Sequence, residues 1–256
     1  MNIYFGLTLC FLPYILFFIG ISYFGKTKIL HQFIASFLAL IAVLPITFIQ
    51  FWLEEKFSGA IFNKDSLFNL FIKALLVNGF LEEIMRIIFM IFIPAKNNNV
   101  KQYFLLSLLC GLCLGCFESM IYLLQNLQSN NLIGGQFLWG LIFARIFTSD
   151  LIHMFCAGLC GLFIWSIKNK HVDIGAIVFA VLIHGIYDFF AYFNNGMYWF
   201  CLAAILLALI ECRVHYTKQN PELKSKNQNE KEDLTEEVVD QTLDGVRLEG
   251  NKLIKE

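Results

Sequence analysis

Seven apolar stretches run along the chain, at about residues 3–24, 33–53, 67–93, 103–125, 136–167, 174–193 and 196–212, separated by short polar segments. At 1.5 Å per helical residue, each is long enough, or nearly so, to cross a hydrocarbon core of about 30 Å. The pattern predicts an all-α fold: a polytopic transmembrane helix bundle of about seven spans. The fifth stretch is longer than one crossing needs, which predicts a tilt, a kink or a split. The last two are short. The first is too long for a signal-peptide core and runs into Gly25-Lys26-Thr27-Lys28 rather than a clear small-residue cleavage site, so it reads as an uncleaved first span. No internal repeat is visible.

Lysine placement orients the bundle. The loops at 25–32, 94–102 and 168–173 carry Lys26, Lys28, Lys96, Lys101, Lys168 and Lys170, whereas the alternate loops carry only Lys56 and Lys64, accompanied by Glu54, Glu55 and Asp65. The positive-inside rule then puts the N-terminus outside and the C-terminus in the cytoplasm. Residues 1–212 form the membrane domain. Residues 213–256 are basic near the membrane and acidic beyond it, which reads as a mostly disordered cytoplasmic tail, with one short amphipathic helix suggested by Leu234, Val238 and Val239.

Composition strengthens the membrane reading. The chain is 58% hydrophobic and 15% charged, more apolar and less charged than a soluble domain. A net charge of −1 gives no basic footprint for nucleic acid. Seven of the eight cysteines fall inside apolar runs. Cys110, Cys113 and Cys116, three apart, have a spacing that could ligate a metal but read better as small residues at a helix interface.

The informative residues are the charged ones inside the spans. The third carries Glu82, Glu83 and Arg86; the fourth Glu118 and Tyr122; the fifth Arg145, Asp150 and His153; the sixth His184 and Asp188. One charge at a helix centre costs roughly 2.5–3.5 kcal/mol even on the lenient insertion scale, so this many must pair, serve a function, or both. By position along their helices, Glu82, Glu83, Glu118, His153 and His184 all lie between the middle and two-thirds of their spans. Four helices thus bring acids or imidazoles to one depth, which points to one shared site within about residues 67–193. Glu82 and Arg86 stand i,i+4, Glu83 and Arg86 i,i+3, and Glu118–Tyr122 and His184–Asp188 i,i+4. Gly111, Gly115, Gly158, Gly161 and Gly185 lie beside them and permit close helix approach.

Each residue also has a plain structural reading. Glu83–Arg86 can be an ion pair, Asp188 an orienting partner of His184, Arg145 the neutraliser of a carboxylate, Asp150 a helix-start residue, and Tyr122 a packing residue with a polar tip. His31, His171 and His215 sit near span ends and read as solvated.

Paired carboxylates with histidines can activate water: one Glu takes the proton and a neighbouring cation or His stabilises the oxyanion. That reading requires no cofactor. Two histidines and a glutamate could equally hold a divalent metal such as zinc, and Glu118, His153 and His184 are the set in that case. The spacing is not His-Glu-x-x-His, and neither Ser119 nor Ser149 sits in a nucleophile motif.

At these residues the chain resembles the PrsW family of intramembrane proteases, relatives of the CAAX-protease and bacteriocin-processing group. The matching blocks are Glu82-Glu83-Ile84-Met85-Arg86, Gly115-Cys116-Phe117-Glu118-Ser119-Met120-Ile121-Tyr122, Arg145 with His153, Gly158 and Gly161, and His184-Gly185-Ile186-Tyr187-Asp188. They occur in order, one per helix. Arg86 stands where the family often has Lys, and Ser119 where it often has Asn. The resemblance implies an intramembrane endopeptidase of the bacterial cytoplasmic membrane, read here as glutamate-dependent through water activated by the Glu pair and without a cofactor, with a metal-dependent form as the alternative. Its partners would be the lipid bilayer and a transmembrane protein substrate, such as an anti-sigma factor. Glu82, Glu83, Glu118, His153 and His184 would be catalytic, with Arg86, Asp188, Arg145 and Tyr122 in support, and Glu82 or Glu83 the base. The competing readings are a non-proteolytic membrane regulator or binder and a proton-coupled transporter, the latter requiring a polar path to both faces.

Overall fold

The computed structural model describes residues 3–57, 66–96, 98–128, 135–193 and 196–220, with Leu223 and Ser225. The expected short amphipathic helix in the tail lies outside the described residues. The chain divides into a unit ending at Tyr216 and a second beginning at Thr217; the site and the packing below belong to the first.

The described residues are helical. Helix α1 covers Ile3–Tyr23, α2 Ile29–Phe57, α3 Leu67–Lys73, α4 Glu82–Met90, α5 Val100–Gln128, α6 Gly135–Phe147, α7 Ser149–Lys168, α8 Ile174–Ala191 and α9 Trp199–Gln219. A π-helical stretch, Ala74–Leu81, joins α3 to α4, and a single 3₁₀ turn precedes α9. Six segments are long and apolar enough to cross a membrane: Tyr4–Tyr23, Ile29–Phe57, Val100–Asn126, Trp139–Lys168, Ile174–Ala191 and Gly196–Gln219. The third predicted span differs. It is one helical rod, right-handed at both junctions, but assembled from α3, the π stretch and α4. The fifth predicted span is split at Thr148, whose backbone leaves helical geometry (φ −128°, ψ −69°) between α6 and α7.

Helices α5 and α7 are the most enclosed, and α1 and α9 the least. The central seam is made of small residues. Ala35, Ala39 and Ala42 of α2 are fully buried, as are Cys110, Cys113 and Cys116 of α5 and Cys156 and Cys160 of α7. All eight cysteines are free, buried thiols. Cys110, Cys113 and Cys116 belong to no cluster of potential metal ligands among the described residues, so they act as small interface side chains. Large side chains such as Phe33, Phe37, Leu44, Phe48 and Phe92 point outward. In water this would be an extended apolar patch; against lipid it costs nothing.

The helix ends sort the lysines onto one face. Gln102 donates to the Lys26 carbonyl at 2.9 Å, and the Lys168 ammonium donates to the Ile91 carbonyl at 2.9 Å, so the loop after α1 meets the start of α5 and the segment after α4 meets the end of α7. His215 departs from its expected solvation: it is buried, with Nδ1 2.6 Å from Asp173 Oδ2.

Candidate active site

The rod α3–π–α4 sets the geometry. A π-turn carries an extra residue per hydrogen-bonded loop and is found disproportionately at functional sites. Here it ends at the Glu82–Glu83 pair. It lies against α8 through two glycines. A Cβ on Gly79 would come 2.6 Å from the Val181 carbonyl oxygen, and one on Gly185 would come 2.8 Å from Leu75 Cα. Any larger residue at either position pushes the rods apart. Close approach is what lets Glu83 on the rod meet His184 on α8.

Glu83 is completely buried and surrounded by donors. Arg86 Nη1 pairs with its Oε1, His184 Nδ1 lies 2.6 Å from the same oxygen, and the Cys160 thiol donates to Oε2 at 3.1 Å. Arg86, also buried, uses its other terminal nitrogen on His153 Nδ1 at 2.8 Å, while its Nε finds no partner. A guanidinium can only donate, so His153 Nδ1 accepts and the ring proton sits on Nε2. That nitrogen bonds Glu118. By the same logic His184 donates from Nδ1 to Glu83, and its Nε2 lies 3.7 Å from Glu82 Oε2 and 3.6 Å from Asp188 Oδ2. The two imidazoles meet edge to face, centroids 4.9 Å apart.

Glu82 has a different setting from its neighbour. Gln50 of α2 donates to its Oε1 at 2.6 Å, and the carboxylate lines a cavity of about 310 Å³. Asn78, Glu118, Tyr122 and Asp188 share that wall. Glu54, Lys73 and Gln125 line it near the ends of α2, α3 and α5 opposite the lysine-rich face, and Lys73 pairs with Glu54 there.

Arg145 closes the far side. Its Nη2 is 3.2 Å from Glu118 Oε2 and 2.8 Å from Ser149 Oγ, its Nε donates to Ser119 Oγ at 3.0 Å, and its guanidinium lies 4.0 Å over the Tyr122 ring. Ser119 in turn donates to buried Asp150 at 2.7 Å. Asp150 does stand in the first turn of α7, and it also ties α7 to α5.

The nine residues singled out from the sequence thus form one connected network. Arg86 pairs with Glu83 rather than Glu82. Gln50 was not among them: a lone amide in an apolar run gives no spacing signal, although its polarity inside α2 was a cue. Cys160, one cysteine inside an apolar run, likewise gives no spacing signal.

The model of the family described as PrsW family intramembrane metalloprotease matches residues 28–210. The chain belongs to that family. It is therefore a multi-pass membrane protein of an intramembrane protease family. No curated protein and no solved structure matches it.

The metal that the PrsW description implies can be tested against the donors present. Ligand atoms of Glu82, His153 and His184 all lie within 4.8 Å of one another, and all three residues are buried. Two imidazoles and a carboxylate are a catalytic zinc-type set. The Glu83–His184 contact is the carboxylate–histidine bond that orients a metal-bound ring. The donors fit. His153 joins them by exchanging one of its two present hydrogen bonds. The sequence-derived set named Glu118 in place of Glu82; Glu118 stands beside this group, on His153. A second convergence, Glu83, Cys156 and His184, suits a cation less well, because Arg86 already occupies the same carboxylate oxygen.

Proposed function

We propose that the chain hydrolyses a peptide bond in a membrane-embedded or membrane-proximal segment, at the cavity lined by Glu82, with His153 and His184 beside that carboxylate. What supports this reading most is that convergence of three buried groups able to bind and deprotonate water, of which Glu82 lines a polar cavity between otherwise apolar helices.

Glu82 and Glu83 take different parts. Glu83 already accepts from Arg86, His184 and Cys160, so it orients His184. Glu82 faces the cavity and receives the proton of the attacking water, with Gln50 holding its other oxygen. In a metal-bound form Glu82, His153 and His184 would hold a divalent cation that acidifies the water and polarises the scissile carbonyl, and Glu82 would then serve as ligand instead of base. Asp188 and Glu118, on the same wall, are placed to pass the proton on towards the leaving amine. Arg145 anchors Glu118 from outside the cavity.

The lysine distribution orients the N-terminus outward, which turns the Glu54–Lys73 end of the cavity to the outside of a bacterial cytoplasmic membrane. An anti-sigma-type single-span segment is the first substrate to try. Transport is disfavoured by the enclosing core: beyond Glu83 and Arg86 the interior continues as Met90, Ile93 and Leu106, fully buried and apolar. The test is cleavage of reconstituted single-span substrates by the wild-type chain and a folded Glu82→Gln variant. Loss of cleavage in the variant is expected; cleavage at the wild-type rate overturns the assignment.

A further inference from the structure

A second cavity, of about 670 Å³, lies away from the hydrolytic site. It is a groove between α1, α5 and the α6–α7 junction, lined by Phe17 and Gly20, Leu105 and Leu112, and Met154, with Lys101 at one end. Along α5 the lining runs from Lys101 to Leu112, which at 1.5 Å per residue is about 16 Å, or one leaflet of a core of about 30 Å. The groove is thus apolar over the depth of one acyl chain and cationic where a headgroup would sit. Lys101 is exposed and forms no ion pair among the described residues. Its neighbour Gln102 holds the Lys26 carbonyl, bringing the loop that carries Lys26 and Lys28 to the same end. Basic pockets between transmembrane helices on the lysine-rich side are sites for anionic headgroups.

We propose that this groove binds one anionic phospholipid, its acyl chain between α1 and α5 and its phosphate at Lys101. The site is independent of the hydrolytic reading, since none of the residues cited for it belongs to that network. Bound lipid would fasten α1, the least enclosed helix, onto the catalytic core.

Two variants separate the headgroup from the chain. A Cβ at Gly20, which lines the groove, meets nothing within 4 Å, so Gly20→Leu starts its added bulk in open space at the groove wall. Lys101→Gln alters an exposed side chain and spares the fold. Detergent-purified protein is titrated with phosphatidylglycerol or phosphatidylcholine and bound lipid is counted by native mass spectrometry. The wild type is expected to keep one phosphatidylglycerol in preference to phosphatidylcholine. Gly20→Leu loses that adduct. Lys101→Gln weakens phosphatidylglycerol about fivefold and leaves phosphatidylcholine unchanged. The proposal is overturned by the absence of a specific wild-type adduct, by equal retention in Gly20→Leu, by an unchanged headgroup preference in Lys101→Gln, or by a lipid-free dimer that buries the groove.

Discussion

Replacing Arg86 by Met removes the guanidinium bonded to Glu83, a carboxylate with no exposed surface. Removing one member of a buried ion pair costs about 3–5 kcal/mol, because the remaining charge is left uncompensated. His184 and Cys160 still donate to Glu83, which places the expected loss near the lower end, at about 3 kcal/mol. Adding Glu83→Gln removes the stranded charge, so the double variant should regain about 2 kcal/mol of that loss. Activity should not return with it. His153 has lost the donor that fixed its tautomer, and His184 the carboxylate that oriented its ring. The assay is unfolding free energy in mixed micelles for the four corners of the cycle, with cleavage measured on the same preparations. A double variant no more stable than Arg86→Met refutes the buried-pair argument. A double variant that cleaves at the wild-type rate refutes the orienting role and leaves the pair purely structural.

Other predictions follow from the same contacts. Gly185→Ala places a Cβ 2.8 Å from Leu75 Cα, so it should cost about 1–3 kcal/mol and lower kcat more than KM, read by thermal unfolding and steady-state cleavage. Gln50→Ala should reduce kcat with little change in stability, and Gln50→Glu should reduce it further, since a second carboxylate then faces Glu82 at hydrogen-bond range; unchanged kcat in both would remove Gln50 from the site. If the Glu82–His153–His184 set holds a cation, wild-type protein should carry about one divalent ion per chain by elemental analysis, and His184→Ala should carry almost none. A chelator should then abolish cleavage and added zinc restore it.

Much of this site was legible in the sequence because of one physical constraint. Ionisable groups are expensive in lipid, so their positions along each span are informative, and counting depth brought Glu82, Glu83, Glu118, His153 and His184 to one layer before any fold was known. Helical spacing also placed Arg86 beside both glutamates. Spacing alone does not choose between them; the Glu83–Arg86 ion pair named as the plain structural reading is the one formed, because of how α4 faces α7 and α8, and a periodicity describes only its own helix. For the same reason the carboxylate that converges with both histidines, Glu82 rather than Glu118, was not readable. The interruptions were partly legible. The long fifth stretch hinted at a split, which the backbone at Thr148 provides, but nothing in Ala74–Leu81 announces a π-helix. His215 shows the opposite error. Near a helix end it reads as solvated, yet Asp173, distant in sequence, folds back to cover it.

The most direct test of the central claim is cleavage by Glu82→Gln and Glu83→Gln, each shown to be folded, against the wild type on a panel of reconstituted single-span substrates. The account predicts that the wild type cuts, that Glu82→Gln is inactive because the group facing the water is gone, and that Glu83→Gln is impaired but retains residual turnover because His184 remains. Cleavage by Glu82→Gln at the wild-type rate would contradict it.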